Sequence, residues 1–434
     1  MVWPYKVRVV GAGIAGLSFA VALTQRAKAS GPGELSTDCL RIDEAASGPS
    51  SDGAGIQLGP NVVRLLQNDL GLSNALHTLS FAPKCISLYS LQSGKRLARL
   101  SLEDFERRYG AKYLTMHRAS LQSSLLARLH ESGHTVNWAS PFNNGQEGPL
   151  PTASERKSNE TRTTQEGLEY KDTLLVGADG RRSACRKVYF EPFEQAKGRP
   201  GKPNALRQPF FTGQLALRSV VTSLNNVPEA QQHEIAVWTA PHHHLVGYPM
   251  VMPVAAGTRL HYNLVGFITS EDTNPNAAGW SCLASTDQVR LLLQALHPSL
   301  QWIPTSAESW SSWPLWASPT MQSPEDHYKN NVFLIGDAAH AMRPHQAQGS
   351  AMAIEDACAL ANHLTSGSGT LHDKCQRTAQ ERWQRNARVQ RQSLRNGRIF
   401  QFTGPMAWFR DRALGLAGSR LMDQPWLFRG PSGL

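Results

Sequence analysis

The sequence of 434 residues has few of the features that mark secreted, membrane-spanning or metal-stabilised proteins. Its six cysteines are scattered without a Cys-x-x-Cys pair, which argues against a zinc site or a disulfide framework. Thiols that stay reduced are typical of the cytoplasm. No apolar stretch is long enough to cross a bilayer, and the first apolar run lacks the flanks of a signal peptide. We therefore expect a cytoplasmic protein with no membrane span and no metal site.

Acidic residues are in the minority, since 44 Lys and Arg against 34 Asp and Glu leave a net charge of +10. A basic balance can indicate nucleic acid, but no nucleic-acid-binding motif is present, and enzymes with anionic cofactors and acidic substrates show the same excess. With 41% hydrophobic residues the chain can bury a sizeable core. We expect small-molecule partners and no nucleic acid. The sequence alone does not determine the oligomeric state. We expect a homodimer.

The chain begins with a short β-branched strand, a glycine-rich turn and an apolar helix, all within residues 6–23. Gly11, Gly13 and Gly16 have the spacing Gly-x-Gly-x-x-Gly. The first glycine makes the tight turn, the second lets a pyrophosphate approach the backbone, and the third lets the helix pack on the strand. Phosphates would then meet free N–H groups at the helix N-terminus. The pattern predicts a dinucleotide site, although glycine-rich turns also serve plain packing.

A second predicted strand, residues 39–42, ends in Asp43 and Glu44. In the dinucleotide-binding fold an acidic side chain at this position accepts hydrogen bonds from a ribose. We choose Glu44 as the ribose ligand. Asp43 stays open as the alternative because a shift of one residue along the strand exchanges the two, and a plain surface carboxylate is also compatible with the pattern.

Four further segments carry a resemblance to a known family. They are GAGIQLGPN at residues 53–61, HRASL at 117–121, DTLLVGADGRRSACR at 172–186, and NVFLIGDAAHAMRPHQAQGSAMAIEDACALANHL at 331–364. Together with the glycine turn they resemble the class A FAD-dependent flavoprotein monooxygenases, of the salicylate hydroxylase and para-hydroxybenzoate hydroxylase type and including fungal aromatic hydroxylases. The resemblance covers nearly the whole chain, with insertions at 30–38, 143–169 and 195–208.

The resemblance implies FAD-binding roles for residues in each of these segments. Backbone at Gly55 would lie along the flavin, Arg118 would reach the FAD, and Asp179 would lie near the cofactor and help with NAD(P)H. Asp337 would bind the ribitol hydroxyls and Pro344 would lie at the flavin ring. The N–H groups of Gly349 and Ser350, at a helix N-terminus, would face the flavin edge that becomes anionic on reduction. Without the resemblance, Arg118 could be a solvated helix residue and Asp179 a turn residue.

The resemblance also implies the fold: an α/β protein with a Rossmann-like FAD-binding domain, an inserted, mainly antiparallel β-sheet substrate domain and a C-terminal helical segment. We place the FAD-binding domain at residues 1–187 and 318–366, the substrate domain at 188–317 and the C-terminal helices at 367–434. Strand-like runs alternating with Pro, Asn and Gly turns support the sheet.

Two residues of the predicted substrate domain are candidate catalytic residues. By analogy with fungal phenol-oxidising members, Arg218 and Tyr248 would hold a phenolate or carboxylate through charge-assisted hydrogen bonds. A salt bridge on the sheet face and a core tyrosine are the alternatives. His345 is a weaker candidate for a substrate contact. The tryptophans at 310, 313 and 316 are interpreted as packing residues.

The activity implied by the resemblance is that of a single-component monooxygenase. NADPH or NADH would reduce FAD, O2 would form a flavin C4a-hydroperoxide, and one oxygen atom would enter a phenolic aromatic substrate, in secondary metabolism. An epoxidase of an indole or terpenoid alkene on the same scaffold is one alternative, and a non-enzymatic flavin-binding protein is another.

In the C-terminal segment, Arg382, Arg385, Arg388 and Arg391 recur every three residues. Such spacing places them along one stripe of a helix. We interpret the stripe as a charged, solvated face rather than a site for an acidic partner.

Overall fold

The computed structural model describes residues 3–29, 35–50, 54–142, 162–163, 169–170, 172–190, 208–255, 257–270, 282–294 and 296–431. The insertions predicted at 143–169 and 195–208 and the loop at 30–38 lie largely outside these residues. Within the described ranges, no helix combines the length and apolarity needed to cross a membrane.

Helices and short strands alternate in the first half of the chain, and long strands dominate the middle. The strands are β1 Tyr5–Val10, β2 Leu40–Asp43, β3 Gly55–Leu58, β4 Ser80–Phe81, β5 Cys85–Ser90, β6 Arg96–Ser101, β7 Leu114–His117, β8 Arg162–Thr163, β9 Glu169–Tyr170, β10 Asp172–Gly177, β11 Phe210–Val221, β12 Glu234–Ala240, β13 His243–Val254, β14 Gly257–Thr269, β15 Cys282–Leu283, β16 Ser311–Ala317, β17 Tyr328–Lys329 and β18 Val332–Leu334. The α-helices are α1 Ile14–Ala29, α2 Pro60–Asn68, α3 Ser73–Leu79, α4 Phe105–Tyr109, α5 Arg118–Glu131, α6 Ala184–Tyr189, α7 Thr286–Leu293, α8 Trp302–Ser306, α9 Asp337–His340, α10 Gly349–Thr365, α11 Leu371–Phe400, α12 Gly404–Met422 and α13 Pro425–Phe428.

A five-stranded sheet forms the FAD-binding half, in the order β17-β18-β10-β1-β2. Strand β1 pairs in parallel with both β10 and β2, and β10 pairs in parallel with β18. Parallel strands need both faces covered, which agrees with the burial of the successive pairs Val9–Val10 and Leu175–Val176, whose side chains point to opposite faces. The turns after β1, β10 and β18 therefore emerge at one edge of the sheet, where the three predicted cofactor motifs meet.

An eight-stranded sheet forms the other half, in the order β15-β16-β11-β14-β13-β12-β5-β6. Its pairs are antiparallel except for β12 with β5. This is the mainly antiparallel sheet that we predicted for residues 188–317. However, the sheet is not confined to those residues. The hairpin of β5 and β6, residues 85–101, comes from the first segment and extends the sheet beyond β12. Pairing between strands so far apart in sequence leaves no local signal, which is why periodicity missed it.

The predicted solvated arginine stripe is wrong for two of its members. The Arg382 side chain is completely buried on α11 and forms ion pairs with Glu355 and Asp356 of α10, each at 2.9 Å. Arg385 pairs with Glu355 at 2.6 Å. Adjacent acidic residues on a buried helix need cationic partners, and the stripe supplies them. Further along the same helix, Arg391 is exposed as predicted.

Candidate flavin and substrate site

One cavity of about 2180 Å³ lies between the two large sheets and brings together residues from distant parts of the chain. Its volume exceeds the 300 to 1,000 Å³ of ordinary small-molecule pockets, so it has room for a dinucleotide and a second ligand. Of the candidate site residues only Gly16 is absent from its wall. The others line the cavity: Gly11, Gly13, Glu44, Gly55, Arg118, Asp179, Arg218, Tyr248, Asp337, Gly349 and Ser350.

The glycine turn has the geometry that a pyrophosphate needs. Gly11 has φ +102°, and a Cβ there would lie 2.5 Å from the Ala178 carbonyl oxygen. A Cβ on Gly16 would overlap the carbonyl oxygen of Gly11. At Gly13, by contrast, a Cβ would meet no atom of the described chain within 4 Å. Two glycines therefore permit close packing, while the middle one leaves backbone open toward the cavity at the start of α1.

The two acidic residues at the end of β2 have different surroundings. Asp43 is fully buried and forms ion pairs with Arg8 and Arg41 at 2.8 and 2.9 Å. Burial opposes its ionisation, but hydrogen bonds from Arg41, Asn137 and Arg8 hold the pKa of this carboxyl below its usual value. Glu44 turns toward the glycine turn, where its Oε2 accepts a hydrogen bond from the Ala12 N–H at 2.7 Å. Asp43 is therefore a structural carboxylate, whereas the carboxylate of Glu44 lies against the glycine turn.

Asp337, at the start of α9, follows a turn whose backbone conformation favours glycine. Gly336 has φ +59°, a left-handed conformation that favours glycine, and Asp337 follows it with an exposed side chain. The Gly336 N–H donates to Asp356 Oδ2 at 3.3 Å. The buried ion cluster thus holds the turn that presents Asp337 to the cavity.

That ion cluster centres on Asp356. The carboxylate of Asp356 accepts from His340 Nε2 at 2.5 Å, from Arg382 Nε at 2.9 Å and from Asn386 Nδ2 at 2.9 Å. Burial alone would raise the pKa of Asp356, but His340 and Arg382 keep it well below the ordinary value. Asp356 therefore stays charged inside the protein.

A triad of metal-ligand types occurs in the same place. Within the described residues, His327, His340 and Asp356 are the one group of three whose ligand atoms lie close enough to hold a metal ion. However, both carboxylate oxygens already accept hydrogen bonds, and His327 Nδ1 lies 2.8 Å from the Leu334 carbonyl oxygen. These hydrogen bonds and the adjacent guanidinium of Arg382 indicate a structural network.

Two cofactor candidates lie at helix starts on either side of the cavity. Asp179 Oδ2 accepts from the N–H groups of Ala184 and Cys185 at 2.7 and 3.1 Å, while its buried Oδ1 has no hydrogen-bond partner in the described chain. Arg118 begins α5 and donates its backbone N–H to Ala54 at 2.8 Å. Asp179 therefore caps α6 and still offers one oxygen to a ligand.

The helix α10 points its N-terminus at the cavity. It begins at Gly349, and Gly349 and Ser350 both line the wall. The first N–H groups of a helix have no partner within it and lie at the positive end of its dipole. Its start therefore offers donors suited to an oxygen or nitrogen that carries negative charge.

The eight-stranded sheet presents the candidate substrate residues from the opposite wall. The Arg218 guanidinium lies over the Trp313 ring at 4.5 Å. Tyr248 packs against Gly55, where a Cβ would come within 2.8 Å of the tyrosine hydroxyl. Burial raises the pKa of Tyr248, and the positive charge of Arg218 only partly offsets this. The tyrosine is thus a neutral hydrogen-bond donor at neutral pH.

Trp313 and His244 are cavity residues that the sequence did not identify as such, while His345, the weaker candidate for a substrate contact, lines the same cavity. We interpreted Trp313 as packing, but it lines the cavity and holds Arg218. His345 Nε2 lies 3.2 Å from Gln214 Oε1, and its ring stands 5.1 Å from that of His244. Burial lowers the pKa of His345 to about 3, so this end of the cavity carries neutral imidazoles. Only alternation along β13 could have indicated that His244 shares a sheet face with Tyr248.

The residues fit a flavin dinucleotide. Open backbone at Gly13, the carboxylate of Glu44, the unpaired oxygen of Asp179 and the N-terminus of α10 line one cavity, and together they offer donors and acceptors for the diphosphate, ribose and ring of a dinucleotide.

Comparison with known proteins agrees with this geometry. The family model described as an FAD binding domain matches residues 4–391. A 3-amino-4-hydroxybenzoate 2-monooxygenase of Streptomyces platensis is 29% identical over 98% of this chain and 95% of its own. A salicylate hydroxylase of Pseudomonas putida is 28% identical over 97% of this chain and 92% of its own. The solved structure of a salicylate hydroxylase substrate complex matches with a TM-score of 0.70 at 20% identity, covering 98% of this chain and 95% of that one.

The fold, the cavity and these relatives define an FAD-dependent aromatic monooxygenase of class A. The chain belongs to the FAD binding domain family, over the 4–391 range that the family model covers.

Proposed function

We propose that this protein hydroxylates a phenolic ring held between Arg218 and Tyr248, with NADPH or NADH and O2 as co-substrates. The observation that carries the proposal is the position of these two side chains. They line the wall of the same cavity as Gly349 and Ser350, on a sheet packed against the cofactor half. A phenolic ring bound by them would lie beside the position expected for the flavin ring.

In this proposal the FAD is held by residues of six segments. Gly11, Gly13 and Gly16 accommodate the diphosphate, and Glu44 accepts hydrogen bonds from the ribose. Arg118 and Asp179 flank the cofactor, Gly55 lies along the flavin, and Asp337 binds the ribitol. When bound, FAD carries electrons from NAD(P)H to O2 and passes one oxygen atom to the substrate.

In this proposal Arg218 acts on the substrate through its charge and Tyr248 through a hydrogen bond. The guanidinium of Arg218 stabilises a phenolate, which is a better nucleophile than a neutral phenol. Tyr248 stays protonated and donates a hydrogen bond that orients the ring. Val246, Val265 and Phe267 are apolar residues of the same cavity wall and keep water from the reacting atoms.

The names of the relatives support an aromatic substrate that already carries a hydroxyl group, since they describe enzymes of hydroxybenzoate and salicylate. The retained alternative, epoxidation of an indole or terpenoid alkene, would leave Arg218 without an anionic partner in the substrate. A place in secondary metabolism is part of the proposal and depends on the identity of that substrate.

Location and assembly are further parts of the proposal. Five of the six cysteines are buried free thiols and the sixth, Cys282, is an exposed free thiol, in keeping with the reducing cytoplasm. An exposed leucine, Leu283, lies on the edge strand β15 of the large sheet and supports a homodimer. Sedimentation of the purified protein tests the dimer.

The deciding experiment measures oxidation of NADPH and of NADH by the FAD-loaded protein with salicylates, resorcinols, indoles and prenylated phenols. Products are weighed by mass spectrometry, and 18O2 identifies the source of the added atom. Stimulated oxidation with a gain of one labelled oxygen on a phenol supports the proposal. Oxygenation only of compounds without an ionisable hydroxyl supports the epoxidase.

A further inference from the structure

The large sheet continues the substrate wall far beyond Arg218. Hydrogen-bonded registers connect Arg218 to Val265, Val265 to Val246, Val246 to Val237 and Val237 to Leu88. All five residues line the cavity. We call Val265, Val246, Val237 and Leu88 the apolar row. At about 4.8 Å per strand, the row leads roughly 19 Å away from the guanidinium.

The far end of the apolar row is roofed by the C-terminal helices. Leu414 and Met422 of α12 and Phe400 of α11 pack in one hydrophobic cluster with Leu88 and Val237. These three roof residues also line the cavity. If the polar group of a ligand binds at Arg218, the rest of the ligand would therefore enter a channel with apolar side chains on both sides.

The channel ends at a rim of large apolar side chains that water reaches. Met406, Phe409 and Leu421 of α12 are 53%, 59% and 58% exposed and line the same cavity. Exposed apolar groups that cluster at a cavity mouth mark a surface that an apolar ligand covers. Arg410, the charged neighbour, does not interrupt the channel because its guanidinium donates to the Ile399 and Phe400 carbonyls and to Asp411.

We propose that the substrate is an amphiphile, a phenolic ring with a hydrocarbon chain, whose ring binds at Arg218 and whose chain lies along the apolar row beneath α12. The inference rests on the proposed function for the position of the ring. The argument for a chain is the continuity of one cavity from a half-buried cation, over four apolar strand positions, to an exposed apolar rim. A small carboxylated ring would leave the apolar row and the rim uncovered.

The first test uses resorcinols with 5-methyl, 5-propyl, 5-heptyl and 5-undecyl chains and titrates each into the FAD-loaded protein by calorimetry. Burial of one methylene corresponds to about a threefold to fourfold gain in affinity. We expect the dissociation constant to fall at least threefold per added methylene until the chain reaches the rim. Equal affinity along the series, weakening with length, or no binding overturns the inference.

Two pairs of variants locate the chain. Val237→Trp would fill the channel and Val254→Trp, at an exposed position of the same sheet, is its control. Phe409→Ser removes part of the rim, and Trp408→Ser removes an exposed aromatic of the same helix that does not line the cavity. We expect Val237→Trp to abolish the gain in affinity with chain length and Phe409→Ser to weaken 5-undecylresorcinol at least threefold, while Val254→Trp and Trp408→Ser leave its affinity unchanged. Unchanged affinity for 5-undecylresorcinol in Val237→Trp or in Phe409→Ser overturns the inference.

Product analysis of the same series separates the two proposals. Affinity that rises with chain length without hydroxylation of any member supports the amphiphile and rejects the phenol hydroxylase. Hydroxylation of 5-methylresorcinol with no effect of chain length supports the hydroxylase and rejects the amphiphile.

Discussion

The guanidinium carbon of Arg218 lies 4.5 Å from the centre of the Trp313 ring, so the cation on the substrate wall is held by an aromatic face. A cation–π contact holds the guanidinium against the electron-rich face of the ring. The side chain is thus ordered between β11 and β16, on the wall of the cavity.

Replacement of Arg218 tests its role toward the substrate. We expect Arg218→Ala to lower kcat/KM for hydroxylation about 100-fold, since a hydrogen bond to a charged group contributes about 1.5 to 3 kcal/mol. FAD should stay bound, because Arg218 belongs to the sheet and not to the cofactor motifs. Absorbance of bound FAD and the ratio of product to NAD(P)H consumed measure the two effects.

The matched control is Arg259→Ala, an exposed arginine on the same sheet. It should leave both quantities unchanged. Coupled turnover at the normal rate in Arg218→Ala would refute the assignment.

The two carboxylates at the end of β2 give a second prediction, because their replacement should change different properties of the protein. Glu44→Gln should weaken FAD binding about tenfold, as expected when a charged acceptor becomes neutral, and leave the apoprotein as stable as before. Asp43→Asn should instead lower the free energy of unfolding by about 1 to 3 kcal/mol, since Arg8 and Arg41 lose a buried partner. Fluorescence titration with FAD and urea unfolding of the apoprotein measure the two. If Asp43→Asn gave the larger loss of FAD affinity at full stability, the assignment would be reversed.

The buried ion cluster gives a third prediction. Arg382→Met leaves Glu355 and Asp356 short of their shared cation in the core. We expect the free energy of unfolding to fall by about 3 to 5 kcal/mol, the usual cost of breaking a buried ion pair on one side. Arg391→Met, on the exposed face of the same helix, should change it by less than about 0.5 kcal/mol. Equal stability of the two variants in urea would contradict the structural role of the cluster.

The buried histidines make stability depend on pH. Burial lowers the pKa of His327 to about 4 and that of His345 to about 3, against about 6.5 in the unfolded chain. The unfolded state therefore binds more protons below pH 6.5, and stability that is complete above this pH is lost as the pH falls toward 4. Each histidine contributes a slope of up to about 1.4 kcal/mol per pH unit. Urea unfolding at pH 7.5, 6 and 5 measures the loss, and His345→Gln should reduce the slope. An equal slope in the variant would show that His345 does not titrate in this way.

Much of the cofactor half could be predicted because its signals are local. Gly11, Gly13 and Gly16 act through backbone geometry within six residues, and Gly336 with Asp337 acts through a single turn. Each motif follows a strand, and strands of a parallel sheet end at a common edge, so separate motifs imply one site. The prediction of an FAD-dependent aromatic monooxygenase is confirmed by the family match and the relatives. The roles of individual site residues stay predictions.

The substrate half was less accessible because its contacts join positions far apart in sequence. Nothing local to Trp313 indicates that Arg218 lies over its ring, and nothing in residues 85–101 indicates that they extend a sheet formed mainly after residue 208. Arg382 has the spacing of a solvated stripe, and it is a core residue only because α10 packs against α11 and brings Glu355 and Asp356 into contact with it.

The sequence by itself therefore determined the FAD-binding fold, the class of enzyme and the segments that meet at one cavity, because backbone turns and strand patterns are encoded over a few neighbouring residues. Only the tertiary structure decided which carboxylate accepts a hydrogen bond from the glycine turn, which arginines are buried and how far the apolar wall of the large sheet extends. Those properties depend on strand register and helix packing, where the energy of each contact comes from residues that the local pattern does not contain.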